Sequence, residues 1–179
     1  MLPNIYNHSF VHNETGICSI QTKLTALVKN AKIDCMKNVF LVFAIALLLN
    51  LVWEHLHFSL YDCSSGCYIS TFGLFSSISL LVKASIFDSF FITALYIFIS
   101  ILHRSFSWIA RWNTTDTLFI LAVSTTVATL IERHALASHK WTYATAMPIV
   151  PILGVGLSPF LQLAALSLAT YAIVQKLLQ

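Results

Sequence analysis

The chain has 179 residues, a net charge of +3 and 58% hydrophobic residues, with a mean hydropathy of +0.79. Only 9% of its residues are charged, against roughly 25% in soluble domains, which excludes an ordinary water-soluble domain. Ten Lys and Arg are too few for a nucleic-acid-binding surface, and the length suits about four membrane spans of ~20 residues each.

Residues 1–35 read as a polar, basic tail, cytosolic or interfacial and partly disordered, and residues 36–179 as the transmembrane domain. Met36-Lys37 ahead of an apolar run resembles a translation start or a signal-peptide n-region. A cleaved signal is rejected, because "WEHLH" follows where a small-residue cleavage site belongs. The first span is expected over 39–58. The apolar region 68–102 is too long for one span and is broken by Lys83 and Asp88, so 72–82 is read as a short interfacial or re-entrant helix and 84–102 as the second span. The third span is expected over 117–131. "MPIVPILGVG" at 147–156 is too rich in Pro and Gly for regular helix, and the fourth span follows over 157–174, with Pro159 in its first turn, where a missing N–H costs little. The fold class is therefore all-α, an integral membrane protein of four transmembrane helices with one short interfacial or re-entrant helix.

Cys63 and Cys67 flank "SSG"; they form a disulfide candidate in an oxidising compartment or two thiols in a reducing one. "NET" at 13–15 and "NTT" at 113–115 match glycosylation sequons. Lys23, Lys29, Lys32, Lys37, Arg104, Arg111 and Lys176 fall on one side of the membrane, and Lys83, Arg133 and Lys140 on the other. This asymmetry predicts a multi-pass protein of the cell (inner) membrane with both termini cytosolic. Trp108, Trp112, Trp141 and Tyr143 fall at predicted membrane edges, where aromatic side chains anchor.

The same topology gathers ionisable residues at one depth. Glu54, His55 and His57 end the first span, Asp88 starts the second, and Glu132 and His134 end the third, followed by His139 and Lys140. At ~100° per residue, Asn50, Glu54, His57 and Tyr61 fall within roughly a 60° arc, and His55 points away. Thr125, Thr129 and Glu132 form a second stripe, and Ser158 shares a face with Gln162. Facing inward, these stripes predict an outer-leaflet pocket with Glu54, His57, Asp88, Glu132 and His134 as candidate catalytic groups and Asn50, Tyr61, Thr129 and Gln162 as its lining. Carboxyls and imidazoles together suit proton transfer. Glu54, His57, Glu132 and His134 also compose a ligand set for a divalent metal such as zinc or iron. The plainer readings are that Glu54 and His57 clamp helices, Asp88 pairs with Lys83 or caps its helix, and Glu132–His134 is a wet helix end.

"NLVWEHLHFSLY" at 50–61 and "ERHALASHKWTYATAMPIVPILGVGLSPFLQL" at 132–163 resemble a family of small, uncharacterised bacterial membrane proteins. The pattern is N-x-x-W-E-x-x-H, then E, W-x-Y, M-P-x-x-P and G-L-x-P-x-x-Q-L. It falls on Asn50, Trp53, Glu54, His57, Glu132, Trp141, Tyr143, Met147, Pro148, Pro151, Gly156, Leu157, Pro159, Gln162 and Leu163. This resemblance covers about 140 residues from Met36 onward and implies no activity. A fainter similarity is to membrane carotenoid cyclase- and hydratase-like proteins, whose cyclase members carry a Pro-x-Glu-Glu type motif; here Ser158-Pro159-Phe160 supplies no acid. "NLVWE" also loosely resembles the His-x-x-x-Glu of sterol-isomerase-like proteins, with Asn50 in place of His. Two functions follow as expectations. One is a membrane enzyme acting on a lipid or isoprenoid-like substrate. The other is a non-enzymatic helper subunit or small transport or binding module. In both, the bilayer is the partner and nucleic acid is not.

Overall fold

The computed structural model describes residues 14–62 and 73–179, with side chains described for 35–61, 78, 79 and 81–179. The expected tail before residue 14, the Asn13 sequon and the Cys63–Cys67 candidate lie outside the described residues. Residues Met1–Lys37 form one compact unit and Asn38–Gln179 another. In the first, helix α1 (Glu14–His57) already begins at Glu14, so the basic stretch read as tail is helical backbone.

Four helices, α1, α2 (Gly73–Leu102), α3 (Thr114–Ala137) and α4 (Leu157–Leu177), each hold a segment long and apolar enough to cross a membrane. Those segments are Cys35–Leu60, Leu81–Leu102, Thr114–Ala137 and Leu157–Leu177. The chain is thus a mostly helical, multi-pass membrane protein in kind. Its outer surface supports this: Phe40, Leu48, Leu56, Phe90, Leu118 and Leu130 are all exposed. Apolar side chains on the outward faces of several helices belong in lipid rather than water.

The expected short helix over 72–82 is not separate. Residues 73–102 form one helix, because after Gly73 the segment contains no Pro or Gly to break it, and Lys83 and Asp88 interrupt hydropathy without interrupting the backbone. Helix α3 begins three residues earlier than expected, because "NTTD" is a capping box. The Asn113 side chain accepts from Asp116 N–H at 3.0 Å, and Asp116 accepts from Asn113 N–H at 3.2 Å. The amide of the second sequon is therefore occupied in a helix cap.

A core of Val42, Ile92, Tyr96, Ile99, Trp108, Ile120, Tyr171 and Val174 fills the bundle interior. Tyr171 donates to Ile92 C=O at 2.7 Å, Trp108 to Ser100 Oγ at 3.0 Å, and Gln175 to Ile109 C=O at 2.9 Å. Trp108, expected at a membrane edge, is instead only 3% exposed. The short 3₁₀ turn Trp108–Arg111 folds it inward, where its N–H finds a hydroxyl as a buried indole requires.

At one end, two tiny sheets replace the irregular loops. Strand β1 (Tyr61–Asp62) pairs antiparallel with β2 (Thr142–Tyr143), placing Tyr61 opposite Tyr143. Strands β3 (Ile149–Val150) and β4 (Val155–Gly156) form a hairpin out of the Pro- and Gly-rich segment. Gly154 turns it with φ +66°, and Gly156 is packed so closely that a Cβ would lie 2.9 Å from Met147 Sδ and 3.1 Å from the Pro159 ring.

Two glycine substitutions test this hairpin. Gly156→Ala is expected to lower thermal stability in detergent by about 1–3 kcal/mol through overpacking. Gly154→Ala, which meets open space but an unfavourable φ, is expected to cost only about 1 kcal/mol. Equal melting temperatures for Gly156→Ala and the parent would refute the packing assignment.

Candidate functional site

The first span ends in a helical stripe because Asn50, Glu54 and His57 recur at intervals of four and three residues. Asn50 is fully buried and donates to Ala46 C=O at 2.9 Å. His57, 6% exposed, has Nδ1 2.9 Å from Trp53 C=O. A carbonyl can only accept, so Nδ1 carries the proton, and Nε2, 4.0 Å from Glu54 Oε2, is an acceptor in the neutral ring.

Helix α4 supplies the group that joins this stripe to α2. Gln162 is buried, and its Nε2 donates to Glu54 Oε1 at 2.7 Å and Asp88 Oδ2 at 2.8 Å, with Asn50 Oδ1 at 3.4 Å. The two carboxylate oxygens therefore lie within about 5.5 Å of each other. Pro159 sits in the first turn of α4, and Gln162 follows in the second turn, facing inward.

Glu132 on α3 sits in a separate clamp of aromatic donors. Its Oε2 accepts from Tyr143 O–H at 2.5 Å and Trp141 Nε1–H at 3.3 Å, and its Oε1 from Tyr61 O–H at 3.4 Å. Tyr143 oxygen in turn accepts Gly156 N–H at 2.9 Å. Burial, reinforced by the neighbouring Glu132 carboxyl, pushes the phenols of Tyr61 and Tyr143 well above their ordinary range. Both remain protonated donors at any physiological pH.

Between these groups lies a cavity of about 670 Å³, within the size range of small-molecule sites. Glu54, His57, Tyr61, Asp88, Glu132 and Gln162 line it, with Leu81, Ala84, Phe87, Ala128, Ile131 and Leu163 as apolar walls. The structure thus brings together Glu54, His57, Asp88 and Glu132 of the candidate catalytic residues, and Tyr61 and Gln162 of the candidate lining, with Asn50 beneath.

Other expectations fail here. His134 is exposed on the outer face of α3 and does not line the cavity; two residues beyond Glu132, it is turned roughly 200° around the helix. Thr129 is also absent from the lining, since its hydroxyl is bonded back to Thr125 C=O at 2.7 Å, as that of Thr125 is to Leu121 C=O at 2.8 Å. Without His134 the proposed metal-ligand set is not assembled, and no group of three His, Cys, Asp or Glu residues is placed to hold a metal among the described residues. Asp88 is bonded to Gln162 and does not cap its helix. Trp141 and Tyr143, expected as interfacial anchors and as the W-x-Y of the resemblance, are also donors to Glu132. The signal for their role was their spacing, nine and eleven residues after Glu132 across one helix end, visible only once the turn is known. No family model matches the chain, and no curated protein or solved structure is detectably similar to it.

Removing the Tyr143 hydroxyl should leave Glu132 with weaker donors and Gly156 N–H without an acceptor. Tyr143→Phe is expected to lower stability by about 1–3 kcal/mol, while Thr129→Val stays within about 0.5 kcal/mol. Thermal unfolding in detergent distinguishes the two, and a reversed order would contradict the clamp.

Proposed function

We propose that this chain is a membrane-embedded enzyme that performs acid–base chemistry on a lipid or isoprenoid-like substrate. It would lie in the cell membrane with both termini cytosolic, as the Lys and Arg distribution favours, so that the cavity opens towards the outer leaflet. The observation that carries the reading is the Glu54–Gln162–Asp88 bridge at a cavity with apolar walls on one side. Two carboxyls within about 5.5 Å can give and take protons on either side of one reacting group. Apolar walls favour a hydrocarbon chain over a polar metabolite. In this assignment Glu54 and Asp88 are the proton-transfer pair, His57 Nε2 is the acceptor beside Glu54, and Glu132 with its tyrosines shapes the cavity's polar side.

A second reading is favoured by the mutual satisfaction of these groups. Glu132 has donors on both oxygens, and one amide serves both other carboxyls. Such an arrangement also suits a structural clamp in a helper subunit or a small binding module.

Glu54→Gln and Asp88→Asn separate the two, because each keeps an amide oxygen to accept from Gln162 while losing the exchangeable proton. The enzyme reading expects both variants to accumulate at parental levels and to give the membrane-lipid profile of a deletion strain, measured by mass spectrometry. A profile identical in parent, variants and deletion strain would defeat it. Variants that fail to accumulate would support the clamp.

A further inference from the structure

We infer that the cavity mouth receives a phosphate-class anionic headgroup of an amphiphile whose chain lies along the apolar walls; the inference rests on the proposed lipid reading of the same cavity. Lys83 from α2 and Lys140 from the loop after α3 both line the cavity and are both exposed, so they reach it from different walls. Lys83 precedes Asp88 by five residues, about 7.5 Å along the helix axis, and sits near the start of the Leu81–Leu102 segment. The cations thus lie nearer the membrane surface than the Glu54–Asp88 pair. Among the described residues no carboxylate is within ion-pair distance of Lys83. The cavity carboxyls instead take their hydrogen bonds from Gln162, Tyr143, Trp141 and Tyr61.

Two cations on separate walls suit a group with several acceptor oxygens and more than one negative charge, which can touch both at once. Basic pockets between membrane helices hold lipid headgroups in this way. Below the lysines, Phe87, Ile131 and Leu163 offer an apolar path for the chain. The spacing has a chemical consequence. With phosphate at the lysines, the carboxyl pair lies deeper than the headgroup, so the reacting bond belongs to the chain and not to the phosphate.

The test uses the full chain in phosphatidylcholine nanodiscs and four probes: geranylgeranyl phosphate, geranylgeraniol, phosphatidic acid and the diacylglycerol with the same acyl chains. Retention is read by native mass spectrometry. At least one phosphorylated probe should be retained more tightly than its neutral partner by on the order of tenfold. Lys83→Ala with Lys140→Ala should abolish that preference without reducing retention of the neutral probes, and Lys83→Arg with Lys140→Arg should keep it. Preference confined to the prenyl pair names an isoprenoid source, and preference confined to the glycerol pair a phospholipid. Equal retention of charged and neutral probes, or a preference that survives the double alanine change, overturns the headgroup inference and leaves the lipid reading standing. Retention of none of the four overturns both.

Discussion

One side-chain amide holds this bundle's polar end together. A carboxyl group inside a membrane span needs hydrogen-bond partners from the protein, because hydrocarbon supplies none, and Glu54 and Asp88 bring two. Gln162 offers two N–H groups, and both go to these acids, at 2.7 and 2.8 Å. Because the three residues sit on α1, α2 and α4, satisfying them fixes the axial register of three helices at once. A one-residue slip of any helix would turn its member by about 100° and strand a polar group in hydrocarbon. Asn50 has the same logic: its amide is spent on Ala46 C=O, and its oxygen faces Gln162.

The rest of the bundle follows from this constraint by contrast. Away from the acids, helices are held by aromatic packing and by tyrosine and tryptophan donors to backbone or hydroxyl acceptors, as in Tyr171 to Ile92 and Trp108 to Ser100. His103 and Asp116, 2.8 Å apart, close that end. There α2 and α3 touch through the stacked rings of Phe98 and Phe119, 6.0 Å between centroids. Towards the acids the same two helices contribute Phe87 and Ile131 to the walls of the cavity. The space is thus bounded by a filled, locked core on one side and by the paired strands carrying Tyr61 and Tyr143 on the other.

What could be read from sequence divides along physical lines. Long-range hydropathy located all four spans, because burial in lipid is a property of ~20 residues together. The i, i+4, i+7 recurrence put Asn50, Glu54 and His57 on one face, and alternating topology put Asp88 and Glu132 at the same end. Features set by single local contacts were not legible. Charge in 73–102 hid a continuous helix, since hydropathy and helicity are different quantities. Thr125 and Thr129 looked polar by type, yet their hydroxyls are consumed by their own helix. Two-residue strands carry no periodic signal, so the pairing that brings Tyr61 beside Tyr143, and both to Glu132, could not be foreseen.

Whether satisfied polar groups can still do chemistry depends on which atoms satisfaction leaves over. Glu132 has donors on both oxygens, and its principal donor, Tyr143, is itself held by Gly156 N–H. That is the pattern of a fixed support. Glu54 and Asp88 differ. Gln162 occupies one oxygen of each, leaving Glu54 Oε2 beside the acceptor nitrogen of His57 and Asp88 Oδ1 without a hydrogen-bond donor among the described residues. Both side chains line the cavity. The remaining oxygen of each is thus open to a molecule in the cavity, whereas both oxygens of Glu132 are already taken. The vacant oxygens therefore favour assigning proton transfer to Glu54 and Asp88 and a positioning role to Glu132.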